Sequence, residues 1–258
     1  MNLDERRFHL GSSSSMTGGG DTVTVYQGTN ASGGGMAGRT GVAVWNSGIL
    51  LTRLLVKMNL MSNLSLFKDK TTIELGCGAA LSSIAIGKLV GAVGGGGGAT
   101  SSVVIATDNN PEVLLLAKRN IERNNLSSVV RTAMLQWGSM AAMDYENCAD
   151  IVVGSDLTYN SGSWLALAET MSIILKPEGF VVYLTLGHSG FNVGGELGGF
   201  LSVAENSGLK LLSMKFGTCG SIGDLLESVI APDENDVIDA NGGARVVILG
   251  KTTRTSHS

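Results

Sequence analysis

Thr71-Thr72-Ile73-Glu74-Leu75-Gly76-Cys77-Gly78-Ala79-Ala80-Leu81 is the stretch on which the fold turns. A short apolar strand runs into a turn of small residues, and a helical stretch follows from Leu81. Small side chains let the backbone reverse tightly at the strand's end and let a ligand approach it closely. The helix that follows offers unpaired N–H groups at the same edge. A second strand, Val103 to Thr107, ends on Asp108, which is placed to accept hydrogen bonds from two ribose hydroxyls. Strand, glycine turn, helix, strand and terminal acid together read as the nucleotide-handling half of a Rossmann-like unit.

Other glycine turns are distinguishable from this one. A dinucleotide fold wants a third glycine packing the helix against the sheet, and that register here holds Gly76, Gly78 and Leu81. A phosphate-binding loop ending in Gly-Lys-Ser/Thr does not occur. A purely structural turn is the plain alternative. Glu74 before the turn and Asp108 after the next strand favour a bound nucleoside cofactor. The distance from Glu74 to Asp108 is longer than a tight βαβ unit needs. The excess lies in residues 92–102, including Gly94 to Gly98, a composition expected of a flexible loop insertion.

With 258 residues, 43% hydrophobic and 16% charged, the chain is long and apolar enough for one well-buried domain with appendages. The formal net charge of -4 comes without a basic stripe, so nucleic acid is not expected as the main partner. Cys77, Cys148 and Cys219 are odd in number and widely spaced. They read as free thiols of a reducing compartment, the cytoplasm with the nucleus also open, and no metal site is expected. The most apolar window, Leu81 to Val93, contains Lys88 and is too short to cross a bilayer. The start Met1-Asn2-Leu3-Asp4-Glu5-Arg6-Arg7 lacks the apolar core of a secretory signal, and its acids speak against a transit peptide.

Residues 1–40 carry the clusters Ser12 to Ser15, Gly18 to Gly20 and Gly33 to Gly35, and are expected to be largely flexible, with a short strand from Thr22 to Gln27. A domain is expected over 41–251 and a flexible tail over 252–258. Within the domain, Val44, Trp45, Ile49, Leu50, Leu54 and Leu55 recur at helical spacing. Asn110-Pro111 opens a helix with the apolar stripe Val113, Leu114, Ala117 and Ile121. Strands are expected near Thr132 to Gln136, Ile151 to Gly154, Phe180 to Leu186, Lys210 to Phe216 and Arg245 to Gly250. Helices are expected from Ser163 to Leu175 and Gly195 to Asn206, with a stop and turn at Lys176-Pro177-Glu178-Gly179 and a polar loop from Pro232 to Gly243. This alternation makes an α/β fold with a mostly parallel sheet covered on both faces. Gly76, Gly78, Asp108, Trp137 and Asp156 each follow a strand's carboxyl end, the edge at which such sheets bind ligands.

These residues resemble class I S-adenosylmethionine-dependent methyltransferases, and within them the methyltransferase family 16 group of protein-lysine methyltransferases. The resemblance runs from about Gly41 to Asn160. It rests on Gly41-Val42-Ala43-Val44-Trp45, the Glu74-to-Gly78 turn, Thr107-Asp108, Asn120 and Asn124, and Gln136-Trp137-Gly138. The tetrad Asp156-Leu157-Thr158-Tyr159 after the fourth strand is the group's distinguishing mark. The resemblance implies a Rossmann-like seven-stranded sheet, S-adenosyl-L-methionine as cofactor, and methyl transfer to a protein side-chain nitrogen. That nitrogen is usually lysine and in a few relatives histidine, and chaperones and translation factors are common targets. A monomer is expected. Glu74 is assigned to the amino end of the cofactor's methionine, Trp137 to the adenine, and Trp45 to closing the pocket. Asp156 and Tyr159 fall at the rim of the acceptor channel as catalytic candidates, and Asp156 also stands as a cofactor ligand. Ala80 departs from the glycine common in relatives, and the glycine insertion is atypical.

Methyl transfer from a sulfonium is an in-line displacement, so the protein must align the partners and keep an acceptor amine neutral. Lysine titrates near pH 10.4 in water, and desolvation in a narrow channel lowers that value. A carboxylate or phenol at the mouth orients the amine. Plainer roles compete: Asp156 as a helix cap, Tyr159 and the tryptophans as packing, Glu74 as a solvated strand-end charge. A methyltransferase for small molecules or RNA shares the fold, although the Asn/Asp-Pro-Pro-Tyr/Phe motif is absent. A cofactor-binding scaffold without catalysis is the third reading.

Overall fold

The computed structural model describes residues 3–10, 22–28, 40–93, 101–186, 193–212, 225, 228, 229 and 244–252. Two strands, β1 (Leu3–His9) and β2 (Thr22–Gly28), pair antiparallel as a separate hairpin. A 3-10 turn at Thr40–Val42 leads to helix α1 (Asn46–Met61), then β3 (Thr71–Leu75) and α2 (Leu81–Val93). Next come β4 (Val103–Asp108), α3 (Pro111–Arg123), β5 (Val130–Met134), a 3-10 turn at Met140–Tyr145, and β6 (Ala149–Ser155). A 3-10 turn at Ser161–Ser163 precedes α4 (Trp164–Ile174), followed by β7 (Leu175–Leu186) and α5 (Val193–Asn206). Strands β8 (Leu209–Leu211) and β9 (Ala244–Lys251) complete the sheet.

The main sheet has seven strands in the order β5-β4-β3-β6-β7-β9-β8. Strands β5 through β7 are parallel, and β9 runs antiparallel to both neighbours. Chain order departs in opposite directions from β3, through β4 on one side and β6 on the other, which opens a crevice at their carboxyl ends. Alternate residues of each strand enter opposite cores, as period two requires. Val104, Ala106, Ile151, Val153, Val182 and Leu184 pack with α1 and α2, while Ile105, Val152, Val181 and Tyr183 pack with α4 and α5.

Several sequence expectations shift. The segment before α1 is a 3-10 turn, so the helix starts after Trp45. The stop at Lys176-Pro177-Glu178-Gly179 does not separate α4 from its strand by a free turn. The backbone is extended from Leu175, and the four residues bulge where pairing jumps from Ala149↔Leu175 to Ile151↔Phe180. Strand β1 has no counterpart among the expected elements, because its charged run Asp4-Glu5-Arg6-Arg7 shows no apolar alternation. Serine and glycine clusters at 12–20 and 29–39, the glycines 94–98, the loop 232–243 and residues 213–216 lie outside the described residues.

Candidate cofactor and acceptor site

The turn after β3 is built on alternating left-handed residues: Gly76 (φ 61), Gly78 (φ 53) and Ala80 (φ 62). Glycine adopts this region without the clash a side chain meets. Space is tight as well. A Cβ on Gly76 would stand 2.7 Å from Leu157 Cδ2 and 3.7 Å from Trp137 Cζ2, and one on Gly78 would stand 3.1 Å from the Gly41 carbonyl. The same contacts place the ends of β5 and β6 and the segment before α1 around one turn. At Ala80 the methyl is tolerated in a fully buried position.

Glu74 is buried and gives its Oε2 to both the amide and the hydroxyl of Ser83, in the first turn of α2. It therefore caps α2 from the strand below, with a partner that carries no mark in the sequence. Burial pushes its carboxyl up to about 7, against the lowering effect of the serine hydrogen bonds. Cys77 beside it is buried, and burial raises its thiol further, so it fills space as a neutral group. Asp108 accepts from the amides of Asn110 at 3.1 Å and Gly78 at 3.4 Å. Those amides hold the carboxylate over the turn, and burial raises its pKa despite them.

The tetrad after β6 is held by several hydrogen bonds to β7. Asp156, at φ 49, donates its amide to the Leu184 carbonyl and accepts at Oδ1 from Thr185 Oγ1 (2.9 Å) and the Leu186 amide (2.8 Å). Its Oδ2 has no hydrogen-bond partner among the described residues. Tyr183 is buried, and its phenol oxygen accepts from the amides of Leu157 (3.1 Å) and Thr158 (3.2 Å). The Thr158 hydroxyl sits 2.9 Å from that phenol and donates to Glu196 at 2.9 Å, while Trp164 Nε1 donates to the Thr158 carbonyl at 2.8 Å. Tyr159 is left 62% exposed. Trp45 is the N-cap of α1 and is 45% exposed; Gly48, within the first turn, approaches the Ser155 hydroxyl (3.8 Å from its ideal Cβ). Tyr183, Thr185 and Glu196 are invisible in sequence, since a tyrosine and a threonine in an apolar strand carry no local mark.

Residues 32–189 match the family of lysine methyltransferases. The chain belongs to that family. The methyltransferase also resembles the TehB-like S-adenosylmethionine-dependent methyltransferase of Corynebacterium glutamicum, with a TM-score of 0.50 and 15% identity over 84% of this chain and 91% of that one. The [4+2]-cyclase SpnF gives a TM-score of 0.50 and 11% identity over 76% of this chain and 81% of that one. At these identities the likeness concerns the fold. No curated protein sequence matches the chain.

S-adenosylmethionine is the cofactor of this methyltransferase, and its residues fit that group. Gly76 is exposed and Gly78 half-buried, so the backbone of the turn is open to a ligand, and Trp137 stands beside it. Asp108 lies across the turn, aimed by two amides, where ribose hydroxyls can donate to it. Among the described residues no group of His, Cys, Asp or Glu is arranged to hold a metal, and no helix is long and apolar enough to cross a membrane.

Proposed function

We infer that this methyltransferase acts on a side-chain nitrogen of a protein, with lysine as the acceptor. The observation that carries the reading is the Asp156-to-Tyr159 tetrad. Its backbone is clamped from β7, so that one carboxylate oxygen and one phenol remain for an incoming group. The family match supports the same acceptor. When bound, S-adenosylmethionine supplies an electrophilic methyl group on its sulfonium.

Asp156 contributes a fixed negative end toward the acceptor. Its Oδ1 is consumed by Thr185 and Leu186, leaving Oδ2 to orient an ammonium or the amine formed from it. Tyr159 offers a hydroxyl and an aromatic face at the mouth, both suited to a lysine side chain. The acceptor loses its proton as it leaves water for the space between them, because burial disfavours the charged amine. Glu74 shapes the floor by capping α2, and Trp45 and Trp137 form walls. The proposed target is a protein of the chaperone or translation-factor class, as the family resemblance implies, met by a monomer in a reducing compartment, the cytoplasm or also the nucleus.

The test is transfer of labelled methyl to the proteins of a cell lysate, followed by mass spectrometry of the labelled residue. Wild type should label lysine, and Asp156→Ala should reduce turnover at least tenfold with S-adenosylhomocysteine affinity changed less than threefold. Full activity in Asp156→Ala would remove this residue from the acceptor site, and label on RNA or a small molecule would redirect the assignment.

A further inference from the structure

The N-terminal hairpin is fastened to the cofactor turn through one side-chain amide. Among the described residues the outer edge of β2 pairs with no strand of the main sheet; it meets α3. Tyr26 donates its amide to Asn120 Oδ1 (2.7 Å) and receives Asn120 Nδ2 at its carbonyl (3.0 Å). Two residues earlier, Thr24 makes the same pair of bonds with Asn124, at 3.2 and 2.6 Å. The register works because four residues of helix rise about 6 Å, and two residues of strand about 6.6 Å. Two asparagines one helical turn apart thus imitate a third strand.

The second Nδ2 proton separates the two: that of Asn124 stays within α3, at the Asn120 carbonyl (2.8 Å), whereas that of Asn120, a fully buried residue, goes to the Ala79 carbonyl at 3.0 Å. That carbonyl lacks its usual helical partner, since the Ser83 amide is diverted to Glu74 and the first α2 bond is Ile84 to Ala80. Both donor protons and the carbonyl oxygen of one amide are engaged, divided between the hairpin and the cofactor turn. The hairpin is joined to the turn's other flank as well. Gln27 Oε1 accepts the Val44 amide at 3.2 Å, next to Trp45, and Gly28 packs against Val42. Val42 in turn packs with Val113, Leu116, Leu3 and Tyr26.

We propose that the hairpin is a clasp of the cofactor site, with Asn120 the positioning residue that couples hairpin docking to the shape of the Gly76–Ala80 turn. The coupling rests on the cofactor assignment and is independent of the acceptor. By linkage, a ligand that fixes the turn must tighten the hairpin, and a loosened hairpin must weaken the ligand.

Calorimetric titration with S-adenosylhomocysteine separates the possibilities, using wild type, Asn120→Asp and Asn124→Asp in the full-length chain. Each aspartate loses the amide donors, but only residue 120 abandons Ala79. Asn120→Asp should bind at least tenfold more weakly than wild type, and Asn124→Asp less than threefold. Equal losses in the two variants, or none in a folded Asn120→Asp, would overturn the proposal. Amide exchange of the wild type provides the reading that needs no variant. S-adenosylhomocysteine should slow the Thr24 and Tyr26 amides severalfold more than those of β8, and uniform slowing or none would count against the clasp. A folded wild type that fails to bind the ligand would instead sink the cofactor assignment, and the clasp with it.

Discussion

Glu74 shows how one buried acid ties stability to pH. Its carboxyl is raised from 4.5 to about 7 by desolvation, so the folded protein holds this proton over a range where the unfolded chain has released it. The resulting stabilisation is fully present below pH 4.5 and disappears as pH rises through about 7. It amounts to roughly 3–3.5 kcal/mol at 1.36 kcal/mol per pH unit over the shift from 4.5 to about 7. Urea unfolding of the ligand-free protein should therefore show stability falling from pH 5 to 7, and Glu74→Gln should remove most of that slope. Asp108 bears on binding instead. Asp108→Ala removes the acceptor for two ribose hydroxyls, and S-adenosylhomocysteine affinity should fall by about 1–3 kcal/mol, read by calorimetry. Both positions are legible in the sequence, as an acid ahead of the glycine turn and an acid ending the next strand. That Glu74 spends its oxygen on Ser83 is not legible there, because the contact depends on how α2 settles on β3.

The helices and strands differ in how much of their origin is local. Helix α3 announces itself by Asn110-Pro111, and the structure shows the Asn110 side chain accepting from the Glu112 amide at 2.9 Å with proline in the first turn. Asn110→Ala should cost about 1 kcal/mol in a urea melt. Strand β7 owes its functional part to tertiary placement. Tyr183 looks like one more apolar residue of a buried strand, yet its phenol holds the amides of Leu157 and Thr158 across from β6. Burial pushes that phenol up to about 12, so it remains a neutral donor and acceptor at every physiological pH. Tyr183→Phe leaves two buried amides and the Thr158 hydroxyl without this partner. It should lower stability by about 2–3 kcal/mol in a urea melt, and reduce turnover more than cofactor affinity. Strand β1 is the opposite case from α3, a charged segment made into a strand by its partner. Its register with β2 and the Arg123–Glu5 approach at 3.6 Å lie far apart in sequence.

Across the whole molecule, the hairpin belongs to the same core as the first helices: Phe8, Val23 and Val25 are buried among residues of α1 and α2. Each such side chain contributes roughly 1.5–3 kcal/mol on full burial. A chain beginning at Gly41 should thus lose several kcal/mol in urea unfolding, despite keeping every residue of the glycine turn and the tetrad. At the opposite end of the sheet, Asp150 gathers Lys176 at 2.8 Å, Lys70 at 3.7 Å and the Thr71 amide at 2.9 Å, and so staples β3, β6 and β7 away from the chemistry. The sequence by itself determined the parallel α/β architecture, the cofactor turn and the edge on which the tetrad falls. Periodicity, glycine at left-handed positions and acids at strand ends are properties of neighbouring residues, and neighbours are what a sequence displays. Only the tertiary structure decided that the Gly/Ser-rich beginning of the chain holds a hairpin clasped by Asn120 and Asn124, and that Tyr183, Thr185 and Glu196 hold the Asp156-to-Tyr159 loop. Those contacts join residues about 25 to 100 positions apart, and each exists only once the sheet has brought its carboxyl ends together.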